Sequence, residues 1–459
     1  MQAHLPFLTA ALLVLLVTTV TCAAPRTAWQ TGFSSGISPV AAEASAPPAL
    51  LVNPGVTSPV VAVVLQDSAL DGAWYLTGRR LADGTEAWRV SGPAVKARDH
   101  SVVVPALIDA KAMSGGIKVA ADYYANHSAT TEVFKGFAIF NSQTGFAQGV
   151  LSLSPYTSRT VSLKSGEHLY AVAVDPTTLR SGSPQLALTR YTQPDFTRPR
   201  ARFSWGSAAG VATNAANQPP LEPWAPDLLV GRTTLVQKLV DASGRAWVRR
   251  VDPLDLTDVW RVPLQSIADD VWVSEAEDLV VVTHAITRLP HGLNMQALSM
   301  TDGRGVWAWR TMTDLAPTTW NMTASVTAPG DGGGHRQFCG VQRYWINFST
   351  YFEWLACVDP AKGLDSNATT VVMLTQFDQS LRTVRGATAD AILVDDWIGR
   401  RVCAMSPFGA SPTDCVWAVP VNQVESDIEY LAVSPDDSFI VAVRQASLAR
   451  WDLTTAALQ

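Results

Sequence analysis

Short apolar runs rich in β-branched residues recur along this chain every 8 to 15 residues, with Gly, Asp, Asn and Pro between them. The clearest are VVAVVL (60–65), SVVVPALI (101–108), LYAVAV (169–174), DLVVVTHAI (278–286), TVVML (370–374), AILV (391–394) and FIVAV (439–443). Runs this short, bounded by turn residues, predict strands. Long amphipathic helices are missing, and VSEAED near Val273 reads as a hairpin turn between VWV and LVVVTH. The pattern predicts an all-β protein.

A repeated phrase narrows the class. An apolar strand, an Xaa-Gly turn and a bulky residue about four positions later occur as YLTGRRLADGTEAW (Tyr75 to Trp88) and MQALSMTDGRGVWAW (Met295 to Trp309). VQKLVDASGRAW (Val236 to Trp247) is a looser copy with its Trp one residue early. The turn glycines align as Gly84, Gly145, Gly244, Gly303, Gly363 and Gly399, at intervals of 61, 99, 59, 60 and 36. A repeat of roughly 40–60 residues is the size of a four-stranded propeller blade. The expectation is a β-propeller of seven or eight four-stranded blades over 57–459, with YLAVSPDDSFIVAVRQASLARWDL supplying three strands of the last. Glycine tolerates the positive φ of a tight hairpin, and the following indole offers a large area to a neighbouring blade. Trp88, Trp247, Trp307 and Trp451 are therefore expected between blades.

These words resemble the repeat of quinoprotein (pyrroloquinoline-quinone)-like β-propellers, in which a strand ending near Asp is followed by Thr-Gly or Asp-Gly and a Trp four residues after the Gly. Asp83, Gly84 and Trp88 match, as do Asp302, Gly303 and Trp307. Thr144 and Gly145 match the turn, with Gly149 at the Trp position; Asp241, Gly244 and Trp247 match with one residue deleted; at Gly399 the Trp position is Cys403. The resemblance implies the propeller fold. Quinone-binding members carry a ring of two adjacent cysteines over the cofactor, and some attach haem through Cys-Xaa-Xaa-Cys-His; neither string occurs here. No cofactor is predicted. Many such propellers are non-enzymatic scaffolds and luminal sensors, which the resemblance extends to this chain as an expectation.

The N-terminus points to a compartment. Residues 5 to 23, LPFLTAALLVLLVTTVTCA, read as a secretory signal peptide cleaved after Ala23, although MQAH before it carries no Lys or Arg. No later stretch reaches the ~20 apolar residues of a spanning helix, so no transmembrane anchor is expected after cleavage. Residues 24–56, rich in Ala, Ser, Pro and Gly, read as a flexible segment. With Cys22 in the leader, Cys339, Cys357, Cys403 and Cys415 are left, an even count suited to two disulfides in an oxidising compartment. Proximity favours Cys339–Cys357 and Cys403–Cys415, with the two other pairings open. Four sequons, at Asn126, Asn321, Asn347 and Asn367, fit a glycosylated secreted or luminal protein. The net charge of −6 argues against nucleic acid as partner. Sixteen Trp spread from Trp29 to Trp451 argue that most of the chain folds.

Catalytic signatures are thin. Gly32-Phe33-Ser34-Ser35-Gly36 has the Gly-Xaa-Ser-Xaa-Gly form but no strand is read before it, so it carries no nucleophile assignment. The seven His are scattered, and His284 reads as a hydrogen-bonded strand or loop residue; no metal site is predicted. GDGGGH (330–335) reads as a hairpin tip. Asp269-Asp270, Asp395-Asp396 and Asp436-Asp437 read as turn and strand-end acids, since neighbours on a strand face opposite ways. Residues 190–226 break the strand pattern and carry Arg190, Arg198, Arg200 and Arg202, either a solvated excursion or a basic contact surface. The sequence predicts a non-catalytic binding or scaffold module for protein or glycan. The alternative is a quinoprotein-like oxidoreductase or a propeller-type glycoside hydrolase.

Overall fold

A computed structural model describes residues 25–453 except 40–48, 53–58, 68–72, 92–103, 114–115, 127–132, 142–143, 154–156, 165–167, 175–185, 193–198, 206–227, 231–233, 242, 244, 266–267, 269, 287–289, 313–316, 328–335, 346–350, 361–368, 377–378, 398–399, 409–414, 421–427 and 435. Among the described residues the strands form eight antiparallel sheets. Sheet 1 comprises Val60–Asp67, Ala73–Arg80 and Glu86–Ser91, with a split first strand, Ile37–Pro39 and Ala49–Val52, along one edge of Val60–Asp67. Sheet 2 is Val104–Met113, Gly116–Asn126, Val133–Asn141 and Ala147–Leu153; sheet 3 is Thr157–Lys164, His168–Val174, Leu186–Thr192 and Pro199–Trp205. Sheet 4 is Leu228–Val230, Leu235–Val240, Ala246–Val251 and Asp258–Pro263; sheet 5 is Asp270–Ser274, Leu279–Ile286, Gly292–Ser299 and Gly305–Met312. Sheet 6 is Pro317–Thr327, Arg336–Trp345, Tyr351–Val358 and Thr369–Gln376, with Gln379–Ser380 added at its edge. Sheet 7 is Arg382–Ala387, Ile392–Asp396, Arg401–Met405 and Cys415–Pro420. Sheet 8 is Ile428–Val433, Phe439–Arg444 and Ser447–Asp452, and Arg26–Gly32 pairs with Ser447–Asp452 as its fourth strand.

The first strands of successive sheets neighbour one another all the way round, and that of sheet 8 meets Ala49–Val52 of sheet 1. The chain is thus a β-propeller, sealed by a strand from its own N-terminal region. This corrects the reading of 24–56 as flexible: Arg26–Gly32, Ile37–Pro39 and Ala49–Val52 are strands. The excursion at 190–226 is also shorter than expected, because Pro199–Trp205 is the fourth strand of sheet 3 and Arg190 ends up within its third. Residues 193–198 and 206–227 lie outside the described residues there.

The core lies between the sheets. The second strands of sheets 1, 5, 7 and 8 are buried on both faces, which is why they read as continuous apolar runs rather than alternating ones. In sheet 8, Phe439, Val441 and Val443 pack toward sheet 1, while Ile440 and Ala442 pack toward sheet 7. In sheet 7, Ile392 and Val394 face sheet 6, and Leu393 faces sheet 8.

The repeated phrase locks these seams. Gly84, Gly145 and Gly303 sit in third-to-fourth-strand turns with φ of 73°, 72° and 75°. Each donates its N–H to the carbonyl four residues back, at Arg80, Asn141 and Ser299. The indole of the preceding sheet's outer strand lies on each glycine: Trp29 on Gly84, Trp88 on Gly145 and Trp260 on Gly303. A methyl group there would come within 2.6, 2.5 and 2.9 Å of the ring. The Trp29 indole N–H donates to Leu81 O and that of Trp260 to Met300 O, both at 2.8 Å. The cross-strand neighbours Arg450 and Arg250 donate to the same two carbonyls, each at 3.0 Å. Between sheets 3 and 4 the Tyr170 hydroxyl supplies the equivalent bond, to Pro253 O at 2.9 Å. There the glycine position is Leu256, at φ 67°, fully buried with Tyr170 and Leu188.

Candidate binding surface

Antiparallel order places the third-to-fourth turns on one face of the disc. The second-to-third hairpins and the crossings between sheets lie on the other, called the upper face below. The turn face is held by aspartates. Asp83, Asp255 and Asp436 each accept the N–H and hydroxyl of the residue two positions on, Thr85, Thr257 and Ser438. Asp302 accepts the N–H of Arg304. These bonds hold all four carboxyls below the usual carboxylate range. On the upper face Asp241 is held down likewise, by the Ser243 hydroxyl and the Trp247 indole.

The paired acids divide among structural tasks. Asp270 accepts the N–H groups of Val271 and of Met322 in sheet 6, both at 2.8 Å; Asp269 lies outside the described residues. Asp437, at φ 53°, accepts the Ala389 N–H of sheet 7 at 2.7 Å, and burial pushes its carboxyl up. Asp395 and Asp396 are buried at the upper end of sheet 7 and, as neighbours on a strand, meet different partners. Asp395 Oδ2 lies 3.6 Å from Arg385 Nη2, whose other Nη donates to Glu429 O in sheet 8 at 3.1 Å. Asp396 is clamped between Arg382 Nε at 3.2 Å and Arg401 Nε at 3.3 Å. A carboxylate seated between two guanidinium groups serves as a fixed counter-ion.

Above this buried pair the hairpin between the second and third strands of sheet 7 carries a different chemistry. Trp397 is 42% exposed, although its backbone N–H is tied to Leu381 O at 3.1 Å. Arg400 is exposed in the left-handed region at φ 50°, and the Arg401 side chain is 41% exposed. Exposed aromatic and guanidinium groups are the residue types that dominate binding energy at protein interfaces. Sequence reasoning missed this site, because Trp397 and Arg400 flank Gly399, which was aligned as a repeat glycine. Gly244 and Gly399 lie outside the described residues, between second and third strands in the chain, whereas Gly84, Gly145 and Gly303 lie between third and fourth strands.

The other expected residues fall as follows. Trp88 is the outer-strand ring on Gly145. Trp247 stands on the third strand of sheet 4, bonded to its own sheet's Asp241, and the outer-strand ring of that sheet is Trp260, four residues after Leu256. Trp307 is half-buried against Phe338 of sheet 6, 4.9 Å between ring centroids, while Trp309 and Trp320 are fully buried in that seam. Trp451 is buried on the third strand of sheet 8, in the seam with sheet 7. Cys339–Cys357 bridges the second and third strands of sheet 6, and Cys403–Cys415 the third and fourth of sheet 7; both lie in the seam those sheets share. Asn321 is exposed on the first strand of sheet 6, Asn126 ends the second strand of sheet 2, and Asn347 and Asn367 lie outside the described residues. Arg200 and Arg202 are exposed on the outer strand of sheet 3, and Arg198 lies outside the described residues. His284 is buried in the second strand of sheet 5. Among the described residues no three His, Cys, Asp or Glu side chains converge as a metal site, and no helix is long and apolar enough to cross a membrane.

Comparison with solved structures agrees with this geometry. A quinohemoprotein alcohol dehydrogenase from Pseudomonas putida matches at a TM-score of 0.50, with 10% identity over 95% of this chain and 77% of that one. The fold is a β-propeller. A europium-containing methanol dehydrogenase (TM-score 0.46, 9% identity, 93% of each chain) and Drosophila Plexin A in complex with Semaphorin 1b (TM-score 0.41, 9% identity, 94% of this chain and 88% of that one) are also similar. No protein-family model and no curated protein sequence matches the chain. At these identities the likeness concerns the fold alone. The cysteines do not fit the adjacent pair that the resemblance links to quinone binding, because they bridge strands inside one seam.

Proposed function

We propose that this PQQ-like propeller is a secreted or luminal binding or scaffold module without catalytic activity, which presents its upper-face hairpins to a protein or glycan. One contrast carries the reading. Asp270, Asp395, Asp396 and Asp437 are engaged in holding seams and guanidinium groups, whereas Trp397 is 42% exposed on an upper-face hairpin. The two disulfides, the leader-like run at 5–23 and the sequons are compatible with an oxidising, glycosylating compartment. Glycosidase treatment of chain expressed through a eukaryotic secretory pathway tests that part, with a drop in mass expected at the sequon peptides. The binding reading is tested on the same purified protein. Its absorption should consist of indole and phenol bands alone, with no turnover of alcohols, sugars or glycosides. A visible chromophore lost on denaturation, together with reduction of an electron-accepting dye, would establish the oxidoreductase alternative instead.

A further inference from the structure

We infer that the Asn321 sequon carries an N-linked glycan inside the central channel, so that sugar occupies the axis of the propeller and partners meet its rims. This rests on the secreted or luminal reading and gives one modification site its place and its effect. Asn321 is the fifth residue of Pro317–Thr327, the innermost strand of sheet 6, about 13 Å below the upper end of that strand. Its neighbours Trp320 and Met322 are buried toward sheet 5. Asn321 pairs with Val341, which packs in the seam with sheet 7, so it stands on the face that looks toward sheet 7, yet it is exposed. The second strand covers one edge of this strand, and the other edge faces the axis round which the first strands stand. The open side of Asn321 is therefore the channel. Thr323, the hydroxyl residue of the sequon, is the extra residue of a bulge between the pairs Met322–Gly340 and Ala324–Cys339, and its Oγ1 donates to Cys339 O at 3.1 Å. Chain order leaves time for attachment before the site is enclosed. The ring closes on Ser447–Asp452, which begins 126 residues later, from 321 to 447. At the usual pace of synthesis that interval is about 6–25 s. A glycan placed there takes the space in which acids from several sheets would have to meet a substrate.

The test uses the full chain secreted from eukaryotic cells and digested with peptide-N-glycosidase in oxygen-18 water, which turns each glycosylated Asn into a labelled Asp. The Asn321 peptide should be labelled when the chain is denatured first and stay unlabelled when the folded chain is treated. This digestion needs no variant, so misfolding cannot mask the result. A second measurement reads the channel itself. Carbodiimide coupling of Glu429, exposed on the innermost strand of sheet 8, should run faster in Asn321→Gln than in wild type. An unlabelled Asn321 in the denatured chain overturns the inference. So does release from the folded chain at the denatured rate, or equal coupling of Glu429 in the two proteins. Label at Asn126, Asn347 or Asn367 with Asn321 bare removes this placement and leaves the compartment reading standing; all four bare removes both. None of these failures touches the absorbance and turnover test of the binding-module reading.

Discussion

Leu256 is the residue at which the repeat bends its own rule. A non-glycine side chain at φ 67° costs about 1–2 kcal/mol, yet the buried leucine fills the seam between sheets 3 and 4. Leu256→Ala keeps the strain and loses the packing, a destabilisation of about 2–5 kcal/mol. Leu256→Gly loses the packing and relieves the strain, so it should unfold later than the alanine variant, the reverse of the usual order. Denaturant midpoints of the two variants decide the point, and an alanine variant at least as stable as the glycine variant would refute the account. Asp437 gives a second prediction, with the opposite sign to the turn aspartates. Burial raises its carboxyl, with Asp390 and Asp436 adding to the effect, so the folded chain holds that proton more tightly than the unfolded chain. The ionised group therefore costs stability at neutral pH and ceases to do so as pH falls through its folded value. Asp437→Asn can still accept the Ala389 N–H, and its melting temperature should exceed wild type at pH 7 and converge with it in acid. Asp83, Asp241, Asp255, Asp302 and Asp436 are held low by hydrogen bonds. Their stabilisation is present above the ordinary carboxylate value near pH ~4 and fades below it, so wild type should lose stability there.

At the scale of strands and turns, legibility followed the distance between partners. Second strands were readable because burial on both faces makes VVAVVL and FIVAV apolar throughout. The turns at Gly84 and Gly303 were readable because each hairpin closes within a few residues. Sheet 4 was misread for a local reason. Its docking turn is Asp255-Leu256-Thr257 followed by Trp260, which lacks the glycine, while the nearby Asp241 turn carries Gly244 and Trp247 and imitates the phrase from the opposite face. The candidate hairpin was hidden by the same confusion at Gly399. Trp88→Ala and Trp260→Ala should each cost about 3–5 kcal/mol, because each ring spans a seam. Gly145→Ala should also destabilise, since its methyl would strike the Trp88 ring and its φ is positive. The two effects are not independent: in Trp88→Ala the clash with the ring is gone, and the added cost of Gly145→Ala shrinks to that of backbone strain and the 3.1 Å approach to Val90 Cγ1. Equal costs of Gly145→Ala in both backgrounds, in a double-mutant cycle, would show that ring and glycine do not touch.

For the whole molecule the decisive contact is the one the sequence conceals best. RTAWQTG has no long apolar run, and its partner strand lies at the far end of the chain, so nothing local marks it as structural. Yet Arg26–Gly32 completes sheet 8, its Trp29 lies on Gly84 of sheet 1, and Leu81 O receives donors from both Trp29 and Arg450. Without that strand Ser447–Asp452 has a bare edge and the Leu81–Gly84 turn loses its indole cover. Removal of residues 26–32 should therefore lower stability by more than Trp29→Ala, which alone should cost up to about 3–5 kcal/mol. The loss has a location as well as a size. Hydrogen exchange should rise first in Ser447–Asp452, which loses its ladder partner, and in the Leu81–Gly84 turn, which loses its indole cover. The Trp309–Trp320 seam between sheets 5 and 6 lies across the ring and should keep wild-type protection below the global transition. Uniform loss of protection around the ring would mean that closure stabilises every seam alike, and that the sheets have no separate stabilities for a single strand to seal.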